Sequence, residues 1–471
     1  MIVPRAGLTL RRLVVTLVVL APLTLAAAHR TQPPTPLVLI SIDGLRPDYV
    51  LEADRYGLRI PELRRLLREG AHARGVHGVL PTVTYPSHTT LVTGVAPARH
   101  GILANRTFDP LGRNGEGWFW YAEDIKAQTL WDAAADAGLT TASVDWPVTV
   151  GARIRWNVPQ VWRAGTTDDR KLSRAVSTAG LLSEIERAVG PWPAGEAWKV
   201  EDDRRKAAFS VYLIESKKPD FHLCYFSSLD EAQHASGPGS PQALAALEEI
   251  DRLIGWIRTA AERGGREPVH IAVVSDHGFA FSDRYLEINE SLHRAGLYQA
   301  DARGHVTSWR ALAWNAGGCA AIMLRDPRDQ DARREVAALL RRLRADPRNG
   351  IETVMTGAEA RAAGGFPDAA FVVGGRAYAE GAARVQPAAY GASSTLHGEH
   401  GYLPDNPDMD ASFFVAGPGI APGSDLGRID MRDVAPTLAD LLRVSLPAAE
   451  GRDLLGHTDS SQPRSLRLAR F

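Results

Sequence analysis

Short apolar runs alternate with helical patterns along most of this chain. Residues 36–43, PLVLISID, form a continuous apolar run, which is typical of a strand buried on both faces. Residues 61–69 show a helical pattern with Pro in the first turn and Gly70 just past the end. The same alternation continues with strands in TTASVDW, DFHLCYFSSLD and HIAVVSD and with helices over 129–138, 202–217 and 240–262. Such repetition predicts an α/β fold in which helices cover both faces of a mostly parallel sheet.

The alternation changes between His277 and His400. That stretch contains a helix near residues 331–343 and several short strand candidates, and we predict a small inserted subdomain over residues 278–395. The main pattern resumes with the strand SFFVAGPGI and the helix MRDVAPTLADLLR. We therefore predict one large α/β domain over residues 37–458, followed by a polar tail over 459–471.

The N-terminus has the three parts of a signal peptide. Basic residues precede an apolar run over residues 13–25, and the small residues Ala26, Ala27 and Ala28 follow it. The run is shorter than the ~20 residues that a membrane-spanning helix needs, although an uncleaved anchor is the alternative. We predict a signal peptide over 1–28, a Pro-rich linker over 29–36, and a periplasmic or secreted protein with no membrane association beyond export.

Net charge and cysteine content narrow the possible partners and disulfide bonds only slightly. The 471 residues carry a formal net charge of -1, so charge gives no reason to expect nucleic acid or an anionic membrane as a stable partner. The two cysteines, Cys224 and Cys319, could pair in an exported protein. Both lie in apolar, strand-like stretches, which favours two buried free thiols.

Three segments predicted as strands end in aspartate: Asp43, Asp230 and Asp276. A single aspartate after a strand is more often a turn or capping residue. In an open parallel sheet, however, the carboxyl ends of the strands share one edge, where ligands bind. Three carboxylates gathered there would repel one another, and a bound cation is the simplest remedy.

Histidines accompany the aspartates. His234 lies four residues after the second aspartate, and His277 directly follows the third. His400 lies in HGEHGY, where spacing alone does not separate it from His397. Carboxylate oxygen with imidazole nitrogen suits zinc, and three of each predict a site for two Zn²⁺ ions.

A hydroxyl nucleophile is predicted in PTVTYPSHTTLVTG. Pro86 suits the first position of a helix, so Thr84 should lie at or just before a helix N-terminus. That end favours a bound phosphate, and a nearby metal would activate the hydroxyl. The simpler interpretation is a capping threonine. Composition leaves Thr82, Thr89 and Thr90 as competitors, and His88 is interpreted as a packed or capping residue.

These segments resemble one known family. The motifs are SIDGLRPDY, LPTVTYPSHTTLVTG, HGILAN, the D-x-x-x-H-x-x-GP run that begins at Asp230, SDHG, and HGY before SFFVAGPGI. From about residue 37 to 455 the chain resembles the nucleotide pyrophosphatase/phosphodiesterases of the alkaline phosphatase superfamily. The resemblance implies an alkaline-phosphatase-like fold and hydrolysis of phosphodiester or pyrophosphate bonds in small molecules through a phospho-threonine intermediate.

Residue roles follow from the resemblance position by position. It implies two zinc ions. One ion is held by Asp43, Asp276 and His277 and contacts the Thr84 oxygen. The other ion is held by Asp230, His234 and His400. The HGY match favours His400 over His397. The resemblance implies that Asn105 donates to a phosphate oxygen. Tyr85 and Tyr225 match aromatic positions that sandwich a nucleobase in the family. Trp146-Pro147 lies near the place where the family has a similar Trp-Pro pair. The segment HGEHGYLPDNPDM is longer than the simplest family form.

Charge around the predicted nucleophile bears on the substrate. The neighbours Val83, Tyr85, Pro86 and Ser87 are uncharged. A monoester carries about one more negative charge than a diester, so this setting favours diesters. A phosphomonoesterase, a phosphonate hydrolase and a non-catalytic periplasmic binder of phosphate or nucleotide remain the alternatives.

Overall fold

The computed structural model describes residues 34–114, 117–264, 268–282, 286, 288–375 and 398–456. The predicted signal peptide, the predicted polar tail and His397 lie outside these residues. So do residues 29–33 of the predicted linker and residues 376–395 of the predicted insertion.

The strands of the described residues, numbered in chain order, are Leu37–Ile42 (β1), Ala71–His72 (β2), Gly75–His77 (β3), Thr141–Val144 (β4), Trp156–Val158 (β5), Phe221–Phe226 (β6), His270–Val274 (β7), Ala280–Phe281 (β8), Tyr298–Ala300 (β9), Val306–Trp309 (β10), Ala311–Ala316 (β11), Cys319–Leu324 (β12), Ile351–Thr356 (β13), Phe371–Gly375 (β14), Gly398–Glu399 (β15), Phe413–Ala416 (β16), Ser424–Asp425 (β17) and Arg428–Asp430 (β18).

The α-helices of the same residues are Asp48–Leu51 (α1), Pro61–Glu69 (α2), Thr84–Thr93 (α3), Pro97–His100 (α4), Leu130–Asp136 (α5), Asp169–Val176 (α6), Leu181–Val189 (α7), Val200–Lys217 (α8), Ser228–Ser236 (α9), Pro241–Arg263 (α10), Ile288–Arg294 (α11), Gln330–Ala345 (α12), Gly357–Ala362 (α13) and Val434–Leu441 (α14). None of these helices is both long and apolar enough to span a bilayer.

The main sheet has β1 near its centre. Within the described residues its eight strands run in the order β17-β2-β16-β7-β1-β6-β4-β5. The five strands from β7 to β5 are parallel to one another, and β16 is antiparallel to β7 and β2. The structure therefore confirms the predicted mostly parallel α/β sheet.

Alternate side chains of β1 pack into different layers. Leu37 and Leu39 join a core formed with α3, α5 and α14, whereas Val38, Ile40 and Ile42 join a second core formed with α2, α8 and α10. Successive side chains of a strand point to opposite faces, so a strand covered on both sides is apolar at nearly every position. This requirement explains the continuous apolar run at the start of the domain. The exception in β1 is the buried Ser41, whose hydroxyl has a hydrogen-bond partner.

A second, antiparallel sheet lies within the predicted insertion. Its described strands run in the order β11-β12-β14-β13. They share a separate hydrophobic core with α11 and α12. The helix expected at 331–343 is found over Gln330–Ala345. The exact bounds of the insertion stay a prediction.

The strand predicted to end at Asp230 is shorter than expected. It stops at Phe226, and Ser228–Ser236 form α9. The cause lies on α8, where the Asp203 carboxylate accepts hydrogen bonds from the N–H groups of Ser227 (3.2 Å) and Ser228 (2.9 Å). A carboxylate on these otherwise unpaired N–H groups stabilises a helix start. Asp230 is thus a helix residue, and the strand-end prediction was wrong for it.

Both cysteines are free thiols in this structure. Cys224 lies on β6 of the main sheet and Cys319 on β12 of the second sheet, and both are buried. Burial raises the pKa of each thiol to about 12, so each remains neutral and unreactive.

The burial of the central strand leads to a testable prediction about the fold. Leu39 is fully buried, and Leu39→Ala should lower the free energy of unfolding by about 2–5 kcal/mol because it removes apolar contacts and leaves a cavity. Urea denaturation followed by circular dichroism measures the change. The control is Leu111→Ala at a position 36% exposed, with an expected change within about 0.5 kcal/mol. Equal effects of the two variants would contradict the central placement of β1.

Candidate metal-binding and phosphoryl-transfer site

The sheet brings two of the predicted aspartates to one edge. Asp43 directly follows β1, and Asp276 lies two residues beyond β7. These strands are parallel neighbours, so their carboxyl ends meet. Asp230 reaches the same edge from the first turn of α9, which follows β6 on the other side of β1.

The first ligand group consists of Asp43, Asp276 and His277. One ligand atom from each lies within 4.8 Å of the others. Nε2 of His277 is 3.2 Å from Asp43 Oδ1 and 3.3 Å from Asp276 Oδ2. Nδ1 of the same ring donates to the Gly278 carbonyl at 3.0 Å. That bond places the proton on Nδ1 and leaves the Nε2 lone pair facing the carboxylates.

The second ligand group is more open to solvent. His234 lies one helical turn after Asp230, and its Nε2 is 3.4 Å from Asp230 Oδ2. Its Nδ1 donates to the Gly398 carbonyl at 3.2 Å, which again leaves Nε2 as the ligand atom. Nε2 of His400 is 3.7 Å from Asp230 Oδ1. The structure thus brings the six predicted ligands to one place. Ligand atoms of Asp230, His277 and His400 also lie within 4.8 Å of one another, so the division into two sets stays a prediction.

The two groups touch through their imidazoles. The rings of His277 and His400 are stacked, with centroids 3.8 Å apart and planes at 15°. One ring belongs to each group, so the position of either ring limits the position of the other.

Glu399, which the sequence pattern did not indicate, lies beside the second group. Ligand atoms of Glu399, His234 and His400 all lie within 4.8 Å of one another. The residue is only 5% exposed. The available signal was its place directly before His400 in HGEHGY, a segment that already departs from the simplest family form.

Desolvation dominates the electrostatics of the site. It raises the pKa of all three aspartates, and the charge of Asp276 raises the pKa of Asp43 further. It lowers the pKa of His277 to about 3 and that of His234 to about 4. Neutral imidazole is the form that binds a metal, and crowded carboxylates become stable as anions beside a cation.

The residues present fit divalent cations. Several buried polar atoms of these side chains lack a hydrogen-bond partner, and they are Asp43 Oδ1, Asp230 Oδ1, Asp276 Oδ2, His277 Nε2 and His400 Nδ1. Buried polar atoms are normally paired, because leaving them unpaired costs free energy. Carboxylate oxygen and imidazole nitrogen are both ligands that zinc accepts, so each group has the chemistry of a cation site.

Thr84 is the first residue of α3. It is 7% exposed, and Pro86 occupies the third helical position rather than the predicted first. Oδ1 of Asn105 accepts a hydrogen bond from the Tyr85 N–H at 2.9 Å. This bond holds the Asn105 carboxamide beside the helix N-terminus and commits its oxygen, so the Nδ2 hydrogens are the donors that remain for a substrate oxygen.

His88 connects the predicted nucleophile to a predicted metal ligand. Its Nδ1 donates to the Thr84 carbonyl at 2.8 Å and lies 3.5 Å from Asp276 Oδ2. Its Nε2 accepts from the Ser41 hydroxyl at 2.8 Å. The ring is fully buried, as a packed residue should be, but its contacts also fix the first turn of α3 against the first ligand group.

The two tyrosines do not present stacking faces in this structure. Tyr85 is 1% exposed, its hydroxyl donates to Gln160, and its ring packs against Trp118. Tyr225 is 3% exposed, and its hydroxyl donates to Asp43 Oδ2. The implied nucleobase sandwich therefore does not fit these positions. Tyr225 instead orients a carboxylate of the first candidate ligand group, because β6 places its side chain beside the end of β1.

Fold and site together define an α/β protein that gathers carboxylates and imidazoles at one sheet edge and connects them, through His88, to a helix that begins with Thr84. The family model described as type I phosphodiesterase / nucleotide pyrophosphatase matches residues 37–403. The chain therefore belongs to the type I phosphodiesterase / nucleotide pyrophosphatase family.

Curated relatives carry names of the same family. Human ectonucleotide pyrophosphatase/phosphodiesterase family member 5 is 27% identical over 290 residues, which are 59% of this chain and 52% of that protein. The venom phosphodiesterase of Naja atra is 25% identical over 255 residues, which are 52% of this chain and 26% of that protein. The matched region thus spans about half of the human protein and about a quarter of the venom protein.

Solved structures support the fold over a larger part of the chain. Human member 5 gives a TM-score of 0.61 at 22% identity and covers 87% of this chain and 95% of that chain. An inactive variant of murine member 5 in complex with AMP also gives a TM-score of 0.61, at 20% identity, and covers 88% of this chain and 96% of that chain. These similarities confirm the predicted alkaline-phosphatase-like α/β fold.

The Tyr225 contact can be tested. Tyr225→Phe removes the hydroxyl that donates to Asp43 and should weaken zinc affinity about 10–100-fold, as is typical when a partner of a metal ligand is lost. Competition with a chromogenic chelator measures the affinity. Tyr212→Phe is the matched control, because it removes a hydroxyl that donates to Glu184 at 2.8 Å, outside the site. Equal affinity in both variants would contradict the role of Tyr225.

Proposed function

We propose that this chain is a metal-dependent phosphodiesterase or nucleotide pyrophosphatase with Thr84 as nucleophile. The observation that carries the proposal is the junction at His88, whose Nδ1 contacts both the Thr84 carbonyl and Asp276. It couples the first turn of α3 to a ligand group suited to cations. Family membership and the names of the relatives support the same reaction.

The metal assignment follows the two ligand groups. Asp43, Asp276 and His277, with the Thr84 hydroxyl, would hold one zinc ion, and Asp230, His234 and His400 would hold the other. When bound, a pair of zinc ions supplies Lewis-acid stabilisation of the charge on the attacking and leaving oxygens.

The residues of the chain then have distinct tasks. Thr84 Oγ1 attacks phosphorus, a P–O bond to the threonine forms, and the bond to the leaving oxygen breaks. Water hydrolyses the phospho-threonine in a second displacement and regenerates the hydroxyl. The N-terminus of α3 contributes partial positive charge near the phosphoryl group. Asn105 Nδ2 donates to a phosphoryl oxygen from the orientation fixed by the Tyr85 N–H.

Charge supports a diester or pyrophosphate of a small molecule as the substrate. The residues flanking Thr84 are uncharged, and this setting suits the single charge of a diester better than the roughly two charges of a monoester. The AMP bound to the murine relative supports a nucleotide-like substrate. We also propose export to the periplasm or medium, on the signal-peptide pattern of residues 1–28.

A substrate panel tests the function. The wild-type chain, reconstituted with zinc, should cleave bis-p-nitrophenyl phosphate and a nucleotide p-nitrophenyl ester faster than p-nitrophenyl phosphate, as judged by kcat/KM. Thr84→Ala should lower kcat on the order of 10³-fold or more, because the nucleophile is lost. Thr93→Ala, at the other end of the same helix, is the control and should stay active.

Other outcomes of this panel have definite meanings. Preferred cleavage of p-nitrophenyl phosphate would favour the monoesterase. Nucleotide binding without turnover in the wild-type chain would favour the periplasmic binder. Full activity in Thr84→Ala would exclude threonine as the nucleophile.

Metal removal is a separate test. Dialysis against EDTA should abolish nearly all turnover, since both ligand groups would then lack the charge that balances their carboxylates. Added Zn²⁺ should restore turnover while circular dichroism reports an unchanged fold. Full activity in a sample shown by mass spectrometry to contain no divalent metal would refute metal dependence.

A further inference from the structure

A buried lysine on α8 lies behind the ligand groups. The Lys206 side chain is 0% exposed, and its ammonium lies 2.9 Å from Asp145 Oδ2 and 3.1 Å from Asp203 Oδ1. The ammonium also donates to the Ser227 hydroxyl at 2.9 Å. An ammonium has three N–H donors, so these three acceptors use all of them and hold the cation in one place.

Lys206 remains charged despite its burial. Burial lowers the pKa of the ammonium, but the charges of Asp145 and Asp203 raise that pKa above its usual value. The charge also reaches the ligand groups. Burial and the charge of Asp276 raise the pKa of Asp43, and the Lys206 charge opposes this rise.

Two of the three contacts fix the start of α9. Ser227 directly precedes this helix, and its hydroxyl accepts from Lys206. The Asp203 carboxylate, paired with the same ammonium, accepts hydrogen bonds from the N–H groups of Ser227 and Ser228. Asp230 lies in the first turn of α9. The position of its carboxylate therefore depends on where Lys206 anchors the beginning of the helix.

The same ammonium lies beside the tyrosine that orients Asp43. Lys206 Nζ is 5.2 Å from the centroid of the Tyr225 ring, which is within the range of a cation–π contact. The hydroxyl of that ring donates to Asp43 Oδ2. One cation therefore contacts both a residue that orients a carboxylate of the first group and the segment that carries Asp230 into the second group.

We propose that Lys206 is a positioning residue, which sets the placement of Asp43 relative to Asp230 by holding Tyr225 and the start of α9 on one ammonium. Its effect on turnover rests on the proposed function. Its effect on metal affinity is independent of the reaction, because the placement of the carboxylates determines how well they hold cations.

The alternative role of Lys206 is to balance two buried carboxylates and thereby stabilise the fold. Lys206→Met separates the two roles, because it keeps a long side chain and removes the charge. Loss of a nearby positive charge should by itself strengthen the binding of a cation. Loss of position should instead weaken zinc binding about tenfold or more in chelator competition. It should also lower kcat at saturating zinc on the order of 10²-fold, with a smaller change in KM.

Arg258→Met is the control for stability. Arg258 is another buried cation, 5% exposed, and its Nε lies 2.7 Å from Glu62 Oε2 in a contact between α10 and α2. Breaking this ion pair should lower the midpoint of urea unfolding, as Lys206→Met should. Zinc affinity and kcat at saturating zinc should stay as in the wild-type chain, because this ion pair holds no part of the site.

Two serine variants test the same contact with every charge retained, and they apply even if Lys206→Met does not fold. Ser227→Ala removes an acceptor of Lys206 and should weaken zinc binding about fivefold, the factor that one ordinary hydrogen bond represents. The other contact that it removes, to the Ala197 carbonyl, is long at 3.4 Å. Ser228→Ala is the matched control, because its buried hydroxyl has no hydrogen-bond partner among the described residues. Its zinc affinity should be unchanged.

The outcomes are distinguishable. Stronger or unchanged zinc binding in Lys206→Met, or equal losses in Lys206→Met and Arg258→Met, would overturn the positioning role. If Lys206→Met does not fold, equal affinities in the two serine variants would overturn it. An unchanged kcat in Lys206→Met would overturn the effect on turnover. If the wild-type chain cleaves no diester, the proposed function fails, but the affinity measurements still decide the role of Lys206.

Discussion

The constraint on which the site depends is the crowding of carboxylates at one edge of the main sheet. Asp43 and Asp276 are almost completely withdrawn from water, and Asp230 lies close enough to share their electrostatic field. Neighbouring groups donate hydrogen bonds to these carboxylates. The Tyr225 hydroxyl donates to Asp43, and the Gly44 N–H donates to Asp276 Oδ1 at 3.2 Å. These neutral donors orient the carboxylates but add no positive charge, and divalent cations would balance the charge of the carboxylates.

The backbone at this edge also helps to bring the carboxylates together. Gly44 has a φ of +67°, and a Cβ there would lie 2.8 Å from the Gln233 side chain, whose amide donates to the Gly44 carbonyl. Only glycine combines this left-handed turn with so close an approach. The turn after β1 therefore packs against α9 and carries Asp43 toward Asp230. His88 makes the corresponding connection on the other side, where it joins Ser41 of β1 to the first turn of α3.

Much of the fold and part of the site could be predicted from local sequence. The central strand was identifiable because burial on both faces demands apolar residues almost throughout, and Asp43 and Asp276 follow directly from where such strands stop. Asp230 was misplaced because the start of α9 is set by Asp203, a partner from a different helix. The contact of Tyr225 could not be predicted for a similar reason, since it involves a carboxylate 182 residues away. Such contacts leave no periodic signal in the chain.

The stacking of His277 on His400 has a consequence for how the two ligand groups act together. Each ring is held by its own group, yet the centroids are only 3.8 Å apart. Movement of either ring is therefore limited by the other. The His400 N–H in turn donates to the Glu399 carboxylate, which ties the position of this side chain to the same segment. The imidazoles and carboxylates of the two groups are thus held together by direct contacts, and a change in the position of one ring changes the space open to the other.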